Sequence, residues 1–232
     1  MSLVPATKWV RLPTAWVQAG GLKTFRWIDG QGADNLAALI VLIAIAQRAD
    51  QLNGSARVTY SQIGLATGLS RALISKGFQT LVARGLVVRD ETGRTTTLAN
   101  FDPTSGWGKL PASGLYDRQG TMPSFSEMQL RSHTELNAAK IYLLLIARRS
   151  NDTNLASISY DKIVDYTGID RSRIKSALSM AVLSGLIHVE RFHSTANLLG
   201  VSSAYRISHI DTSIHMGTRG RGITEVDFDT PF

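Results

Sequence analysis

Two sets of small and polar residues recur at helical spacing, and their side chains suit contacts with nucleic-acid bases. The sets are Ala72, Ser75, Lys76 and Gln79, and then Ser172, Lys175, Ser176 and Ser179. At about 3.6 residues per turn, the first set lies opposite an apolar face formed by Ile74, Phe78 and Leu81. A lysine donates to guanine and a glutamine pairs with adenine in the major groove. Lys76 and Gln79 are therefore predicted to read bases.

Basic residues flank both sets and are predicted to contact the phosphate backbone. Arg71, Arg171 and Arg173 lie in the first turn of the two helices. Further candidates follow each helix, in stretches with strand character: Arg89, Arg94, Arg191 and His193. Phosphate contacts of this kind position a protein on DNA, whereas base contacts give sequence preference.

The helices belong to a unit that occurs twice. At a constant offset of 100 residues (for example 160 − 60), nine positions between residues 60 and 86 are identical. They are Tyr60/Tyr160, Ile63/Ile163, Thr67/Thr167, Gly68/Gly168, Arg71/Arg171, Ile74/Ile174, Val82/Val182, Gly85/Gly185 and Leu86/Leu186. Even the lead-in recurs, as WVRLP from Trp9 and WGKLP from Trp107. Duplication of one structural unit explains such self-similarity.

Each unit is predicted to contain three helices and a hairpin. In the first unit the elements are a buried helix Asn35–Asp50, a short strand Ala56–Tyr60, a helix Ser61–Thr67 with Ser61 as N-cap, a turn at Gly68, a helix Arg71–Arg84 capped by Ser70, and strands Val87–Asp90 and Arg94–Leu98. In the second unit Asp170 replaces Ser70 as the cap, and strands Ile187–Glu190 and Ala204–Ile207 enclose a longer loop. Trp9, Trp16 and Trp107 are expected to pack each lead-in on its own unit, and Tyr60 and Tyr160 to be structural.

This order is that of a helix-turn-helix followed by a two-stranded wing. The fold class is therefore mainly α with small β wings (α+β), in two tandem winged helix-turn-helix domains. The predicted boundaries are 1–102 for the first domain with its lead-in, 103–208 for a linker and the second domain, and 209–232 for a tail. The apolar pattern and the Thr-Gly turn resemble those of tandem winged-helix DNA-binding proteins. That resemblance implies a recognition helix in the major groove, although winged helices also dock proteins.

Composition narrows the possible functions. The net charge of +7 favours a polyanionic partner, and the absence of cysteine favours a reducing compartment, which we expect to be the cytoplasm. The longest apolar run, Leu36 to Ala46, has 11 residues and is too short to span a bilayer. Zinc-protease, phosphate-loop and serine-hydrolase motifs are missing, and so is a His-x-His pair. We therefore expect no enzyme activity, no metal and no cofactor.

The C-terminal tail changes character along its length. A basic, glycine-rich stretch, Gly217–Gly222, precedes the sequence EVDFDTPF. The end resembles the acidic tip of bacterial single-stranded DNA-binding proteins, which recruits replication and repair proteins. The residues that would dock a partner are Asp227, Phe228, Asp229, Pro231 and Phe232. A coincidental match and self-docking onto the basic DNA surface are the alternatives.

Three functions are compatible with these observations. The leading hypothesis is a replication initiator of a plasmid or mobile element that binds origin repeats as a monomer or homodimer and recruits host replication proteins. The chain resembles such initiators in architecture, but it lacks the specific motifs of the best-known iteron-binding initiators. A transcriptional regulator that represses its own promoter is the second hypothesis. A protein-binding scaffold is the third, and the positive charge argues against it.

Overall fold

The backbone forms short helices and small antiparallel sheets, a mixed α+β architecture. The computed structural model describes residues 4–28, 30–193 and 201–210, with the backbone alone at 191–193 and 201–202. The helices are α1 (Ala15–Gln18), α2 (Gly32–Ala46), α3 (Tyr60–Thr67), α4 (Arg71–Ala83), α5 (Pro123–Ser126), α6 (His133–Arg148), α7 (Tyr160–Thr167) and α8 (Arg171–Leu183). The strands are β1 (Trp9–Pro13), β2 (Ser55–Ala56), β3 (Val87–Arg89), β4 (Thr96–Leu98), β5 (Trp107–Pro111), β6 (Leu155–Ser157), β7 (Ile187–His193) and β8 (Val201–Ile207). None of the described helices has the length and apolarity needed to cross a membrane.

Helix α2 is buried on nearly all sides because its apolar residues run continuously from Leu36 to Ala46. It begins and ends earlier than the predicted Asn35–Asp50. The next helix, α3, also begins earlier than predicted. Thr59, not Ser61, is its N-cap: the Thr59 hydroxyl accepts from the Gln62 amide, and the Gln62 side chain accepts from the Thr59 amide. This reciprocal capping box satisfies two amides that the first turn cannot pair internally.

The hairpin of the first half lies where the sequence predicts it. Strands β3 and β4 pair antiparallel, and β4 also pairs with β2, so the sheet order is β2-β4-β3. Gly93 turns the hairpin with a φ of 65°, a conformation that glycine adopts without a Cβ clash. Strand β2 is shorter than predicted because Tyr60 is already helical.

The second half has the same order of elements. Helix α6 opens with a second capping box between Ser132 and Glu135, and β6, β8 and β7 form a sheet in that order. Strands β7 and β8 pair over seven residues each, and they extend further than the predicted Ile187–Glu190 and Ala204–Ile207. The described residues thus contain two similarly ordered halves, each with three main helices and one small sheet.

The two lead-in segments pair with each other, which corrects the expectation that each would pack on its own half. Strands β1 and β5 run antiparallel in the register Trp9↔Pro111, Arg11↔Lys109 and Pro13↔Trp107. The rings of Trp9 and Trp107 stack at 5.8 Å between centroids, with Arg11 4.9 Å from the centre of the Trp107 ring. Each lead-in therefore occupies the same position relative to its partner, as in a two-fold arrangement.

Other contacts also cross between the halves. The 3-10 turn Gly21–Thr24, from the first lead-in, packs on α7, and α5, from the second, packs on α3. The Met122 amide donates to the Ala66 carbonyl at 2.7 Å, and the buried Lys140 ammonium donates to the Phe25 carbonyl at 3.0 Å. The exchanged segments hold the two halves in a defined relative position.

The apolar core extends across both halves because the lead-in segments of each half pack on the other. One buried cluster includes residues of both halves, and α2 packs directly on α6. The predicted boundary near residue 102 lies in an exposed connection, where Asp102 accepts hydrogen bonds from Thr104 and Ser105. These bonds hold the pKa of Asp102 down at about 2. The apolar core is continuous across this position.

Candidate nucleic-acid interface

A threonine-glycine pair makes the same turn before α4 and before α8. The Thr67 hydroxyl donates to the Ile63 carbonyl at 2.7 Å and accepts from the Leu69 amide at 3.3 Å, and Gly68 takes a φ of 71°. Thr167 makes the equivalent bonds to Ile163 and Ile169, at 2.5 and 3.2 Å. Both turns therefore direct the following helix by the same local hydrogen bonds.

The N-caps of the two helices differ. The Ser70 hydroxyl accepts from the Leu73 amide at 3.3 Å, as predicted. The Asp170 side chain makes no capping hydrogen bond, which corrects its predicted role. Its carboxylate instead lies 3.4 Å from Nε of Arg173. Asp170 therefore places a negative charge at the start of α8. It also forms an ion pair with Arg173, one of the arginines predicted to contact phosphate.

Helix α4 has an exposed face that matches the predicted base-reading set. Ala72, Lys76 and Gln79 are exposed and Ser75 is half-buried, whereas Ile74, Phe78 and Leu81 are buried on the opposite face. Arg71 is also exposed. The Lys76 ammonium is 3.9 Å from Asp34 and keeps 60% of its side chain exposed. This distance leaves the ammonium free to turn toward a ligand.

Gly77 explains how α4 comes so close to α2. A Cβ at this position would lie 3.0 Å from Val41 and 3.3 Å from the Ala37 carbonyl. The sequence reasoning did not single out Gly77. The only available signal was a glycine inside a predicted helix, which costs stability unless a neighbouring backbone needs the space.

The two predicted arginines of the first hairpin have different environments. Arg94 is exposed at the turn. Arg89 is half-buried: its guanidinium lies 4.7 Å from the centre of the Phe78 ring and donates to the Gly93 carbonyl at 2.5 Å. Phe78 in turn stacks on Tyr60 at 5.4 Å. Arg89 therefore fastens the hairpin to α4, and its proposed contact with phosphate stays a prediction.

Helix α8 exposes the second predicted set together with more acidic neighbours. Ser172, Lys175, Ser176 and Ser179 are all exposed, as are Arg171 and Arg173. Arg171 forms an ion pair with Asp161 of α7, and the Ser176 hydroxyl donates to the Arg173 carbonyl at 2.9 Å. Asp161 and Asp170 have uncharged equivalents in the first half, Ser61 and Ser70. Two carboxylates thus lie beside the three cations of α8, and one carboxylate, that of Asp34, lies beside the two cations of α4.

Several of the predicted site residues have side chains outside the described part of the structure. Arg191 and His193 belong to β7, where they pair with Ser203 and Val201, and their side chains are outside the described part of the structure. The tail residues lie outside it altogether: Asp227, Phe228, Asp229, Pro231 and Phe232. Their proposed contacts remain predictions from the sequence.

Within residues 4–28, 30–193 and 201–210, no three histidine or acidic side chains come together in a way that would hold a metal ion. The chemistry of the two exposed faces is that of hydrogen-bond donors, small side chains and mobile cations. Such faces can approach a nucleic-acid groove closely and donate to bases and phosphates.

Comparison with known proteins adds no relative from which a function could be transferred. The chain matches no known protein family, and it has no significant match among curated proteins. Function is therefore inferred from the residues and their geometry.

Proposed function

We propose that this chain is a sequence-specific double-stranded DNA-binding protein with two tandem winged-helix units, and that it initiates replication of a plasmid or mobile element. In this proposal α4 and α8 enter the major groove of neighbouring DNA segments. The hairpins β3–β4 and β7–β8 act as the wings. The tail would recruit host replication proteins.

The observation that carries the proposal is the exposed face of α4. Lys76 and Gln79 present donors beside the small Ala72, and the opposite face of the same helix is anchored in the core by Ile74 and Phe78. A rigid helix with a narrow polar face is what major-groove reading requires. The surplus of cations in the whole chain, +7, supplies the attraction to phosphate that non-specific binding needs.

The two similar halves support a DNA site made of two linked half-sites and not of a single one. Helix α8 repeats the position of α4 after an equivalent turn, and the paired lead-ins keep the two halves together. Half-sites about one helical turn apart, roughly 34 Å, suit two helices on the same side of a duplex. Because α4 and α8 carry different side chains, the two half-sites should be related in sequence but not identical.

The initiator role rests on what accompanies these two units. The described residues contain two similarly ordered halves and a two-stranded ribbon between them, and the sequence EVDFDTPF resembles the acidic tip through which bacterial single-stranded DNA-binding proteins recruit replication proteins. An initiator needs to hold repeated origin sequences and attract helicase-loading proteins. In this proposal the two halves would serve the first need and the tail the second.

The deciding experiment is selection of bound duplexes from a random DNA pool by the purified full chain at near-physiological salt. A long asymmetric site or direct repeats would support an initiator whose two units read in tandem. A short inverted repeat would instead indicate a dimeric transcriptional regulator. No enrichment, together with salt-insensitive binding, would overturn the DNA-binding proposal and favour a protein scaffold.

A further inference from the structure

An open cleft of about 440 Å³ lies beside the C-terminal end of α8, away from the residues assigned to base reading. It is lined by Pro123, Ser124, Glu127, Met128, Gln129, Arg131, Ser132, Glu135, Met180, Leu183 and Ser184. Leu183 is 84% exposed at its edge, the most exposed large apolar side chain in the described residues. Neither the core nor the proposed DNA contacts account for this leucine.

The first half shows what fills the equivalent position. Arg84 follows the last residue of α4 as its C-cap. Its guanidinium lies 3.8 Å from the centre of the Phe25 ring and donates to the Thr24 carbonyl at 3.0 Å and to Oδ1 of Asn35 at 2.7 Å. Trp27 covers the adjacent space, because its ring lies directly against Gly32. In the first half, the position equivalent to the cleft is thus filled by an arginine and an aromatic ring.

In the second half both closing side chains are missing. The C-cap of α8 is Ser184, 100 residues after Arg84 (184 − 84), and Glu127 stands in place of Trp27. The residues equivalent to the acceptors of Arg84 remain, as Ser124 and Glu135, and both line the cleft. The second half therefore keeps the residues equivalent to the acceptors of Arg84, but α8 has no arginine at its C-cap to occupy the position.

The charges of the cleft are consistent with a cationic occupant. Glu135 is buried, and its carboxylate accepts from the amides of Gln129 at 2.7 Å, Arg131 at 3.0 Å and Ser132 at 3.2 Å. Glu127 and Arg131 are exposed and also line the cleft. Two carboxylates against one guanidinium leave the cleft with one negative charge in excess. A carboxylate in such a site can take a charge-assisted bond from an arginine.

We propose that the occupant is the basic stretch Gly217–Gly222 of the same chain, with Arg219 or Arg221 in the position that Arg84 holds in the first half. The Met180 and Leu183 side chains would contact the aliphatic part of that arginine. The flanking glycines carry no side chain that would obstruct a narrow cleft. The proposal does not depend on DNA binding, because it concerns a different surface.

The end of the described chain supports this occupant over a second molecule. The Ser208 amide donates to the Leu186 carbonyl at 3.1 Å, only two residues beyond Ser184 (186 − 184). Arg219 follows Ile210, the last described residue, by nine residues (219 − 210), which span up to about 30 Å when extended. The described chain therefore ends on the same half as the cleft, and the nine residues that follow are long enough for Arg219 to reach it in the proposed docking. Docking would fix the point from which the last ten residues (232 − 222) project.

The natural absence of cysteine makes an engineered disulfide a direct test in the full chain. In the variant Ser184→Cys/Gly220→Cys, one sulfur lies in the cleft and the other between the two arginines. The matched control is Ala83→Cys/Gly220→Cys, with an exposed cysteine at the end of α4. We expect intramolecular cross-linking to be about tenfold faster or more in the first variant, because docking raises the effective concentration. Equal rates in the two variants would overturn the proposal.

One further variant separates docking by arginine from mere proximity. Arg219→Ala/Arg221→Ala, added to the 184/220 pair, should reduce its rate to that of the control. An unchanged rate would show that no guanidinium is involved. Cross-linking that gives mainly concentration-dependent dimers would assign the cleft to a second copy of the chain and also overturn the proposal. Since no DNA is present, these results are independent of the proposed function.

Discussion

At the scale of single residues, exposure and partners divide the basic side chains into those free to bind and those already used. Lys175 and Arg94 are exposed, and Lys76 is exposed with a long, 3.9 Å ion pair to Asp34. Arg89 is held by Phe78 and Gly93, and Arg171 by Asp161. Surface ion pairs contribute little to stability, so the held surface arginine can exchange its carboxylate for a phosphate. The distinction leads to different expectations for individual substitutions.

Lys76→Ala and Arg94→Ala should weaken DNA binding in different ways. Loss of a base contact costs about 1–3 kcal/mol on the preferred site and relaxes the preference at one position. Loss of a phosphate contact weakens all sequences alike and lowers the salt slope by about 1. Titrations at several salt concentrations, on selected and scrambled duplexes, measure both effects. The exposed Arg118→Ala is the control for loss of charge elsewhere, and identical behaviour of all three variants would refute the assigned face.

Asp161→Asn should strengthen binding to any DNA sequence. The substitution releases Arg171 and removes a negative charge near the proposed phosphate path, a gain of about 1 kcal/mol or roughly fivefold. Fluorescence anisotropy with a scrambled duplex measures this gain at low and at moderate salt. Asp165→Asn, an exposed acid on the same helix, gives the contribution of charge alone. If neither variant changes binding, α8 does not approach DNA and the second unit has another role.

At the scale of secondary-structure elements, side-chain packing and capping explain contacts and helix bounds that helix and strand propensities did not predict. The stack of Tyr60, Phe78 and Arg89 joins α3, α4 and the hairpin in the first half. The capping box of Thr59 and Gln62 places the N-cap of α3 two residues before the predicted N-cap, Ser61. That pattern was readable in the sequence as a threonine followed three residues later by glutamine.

Arg89→Ala should therefore destabilise the fold without a specific effect on DNA reading. The change removes a cation–π contact and a hydrogen bond to the Gly93 carbonyl, together about 1–2 kcal/mol of unfolding free energy. Urea unfolding monitored by circular dichroism measures the loss. Arg94→Ala, in the same hairpin but exposed, is expected to unfold like the natural protein. Equal stability of the two variants would contradict the structural role of Arg89.

At the scale of the whole molecule, the two halves meet along a seam that includes Lys140, Phe25, Trp9 and Trp107, and this seam contains a buried cation. The Lys140 ammonium lies beneath the surface and donates to the Phe25 carbonyl. Burial, with the nearby charges of Arg26 and Arg84, lowers the pKa of Lys140 to about 8 from an ordinary 10.5. The same seam contains the stacked Trp9 and Trp107 rings. The contact between the halves thus includes a desolvated charge.

The stability of the seam should depend on pH through Lys140. Between about pH 8 and 10.5 the unfolded chain binds a proton at this lysine that the folded chain does not, so its contribution to stability rises with pH. Each pKa unit corresponds to about 1.36 kcal/mol, so holding the charged ammonium costs about 3 kcal/mol at pH 7.

Lys140→Met should remove this dependence. Its stability relative to the natural protein should be highest near pH 7 and should fall by about 3 kcal/mol as the pH reaches 10. Urea unfolding at pH 7, 8.5 and 10 measures the difference, and loss of the bond to Phe25 adds only a constant offset. Lys175→Met, an exposed lysine, is the control. A difference for Lys140→Met that does not change with pH would show that the ammonium is not desolvated at the seam.

The sequence by itself determined most local features, because they depend on neighbours along the chain. The helices α4 and α8, the Thr-Gly turns, the Ser70 cap and the hairpin β3–β4 all lie close to their predicted positions. The exposed set on α4 also follows from helical periodicity, since a helix that buries Ile74 and Phe78 must expose Lys76 and Gln79.

Only the tertiary structure decided which distant segments meet. The repeated WVRLP and WGKLP stretches gave no sign that they pair with each other, because an antiparallel partner is chosen by the packing of both halves and not by either strand. The role of Arg89, the seam at Lys140 and the open cleft beside Ser184 likewise arise from side chains brought together across the fold. Local hydrogen bonds and periodicity act within a few residues, whereas desolvation and cavity shape depend on every segment that packs nearby.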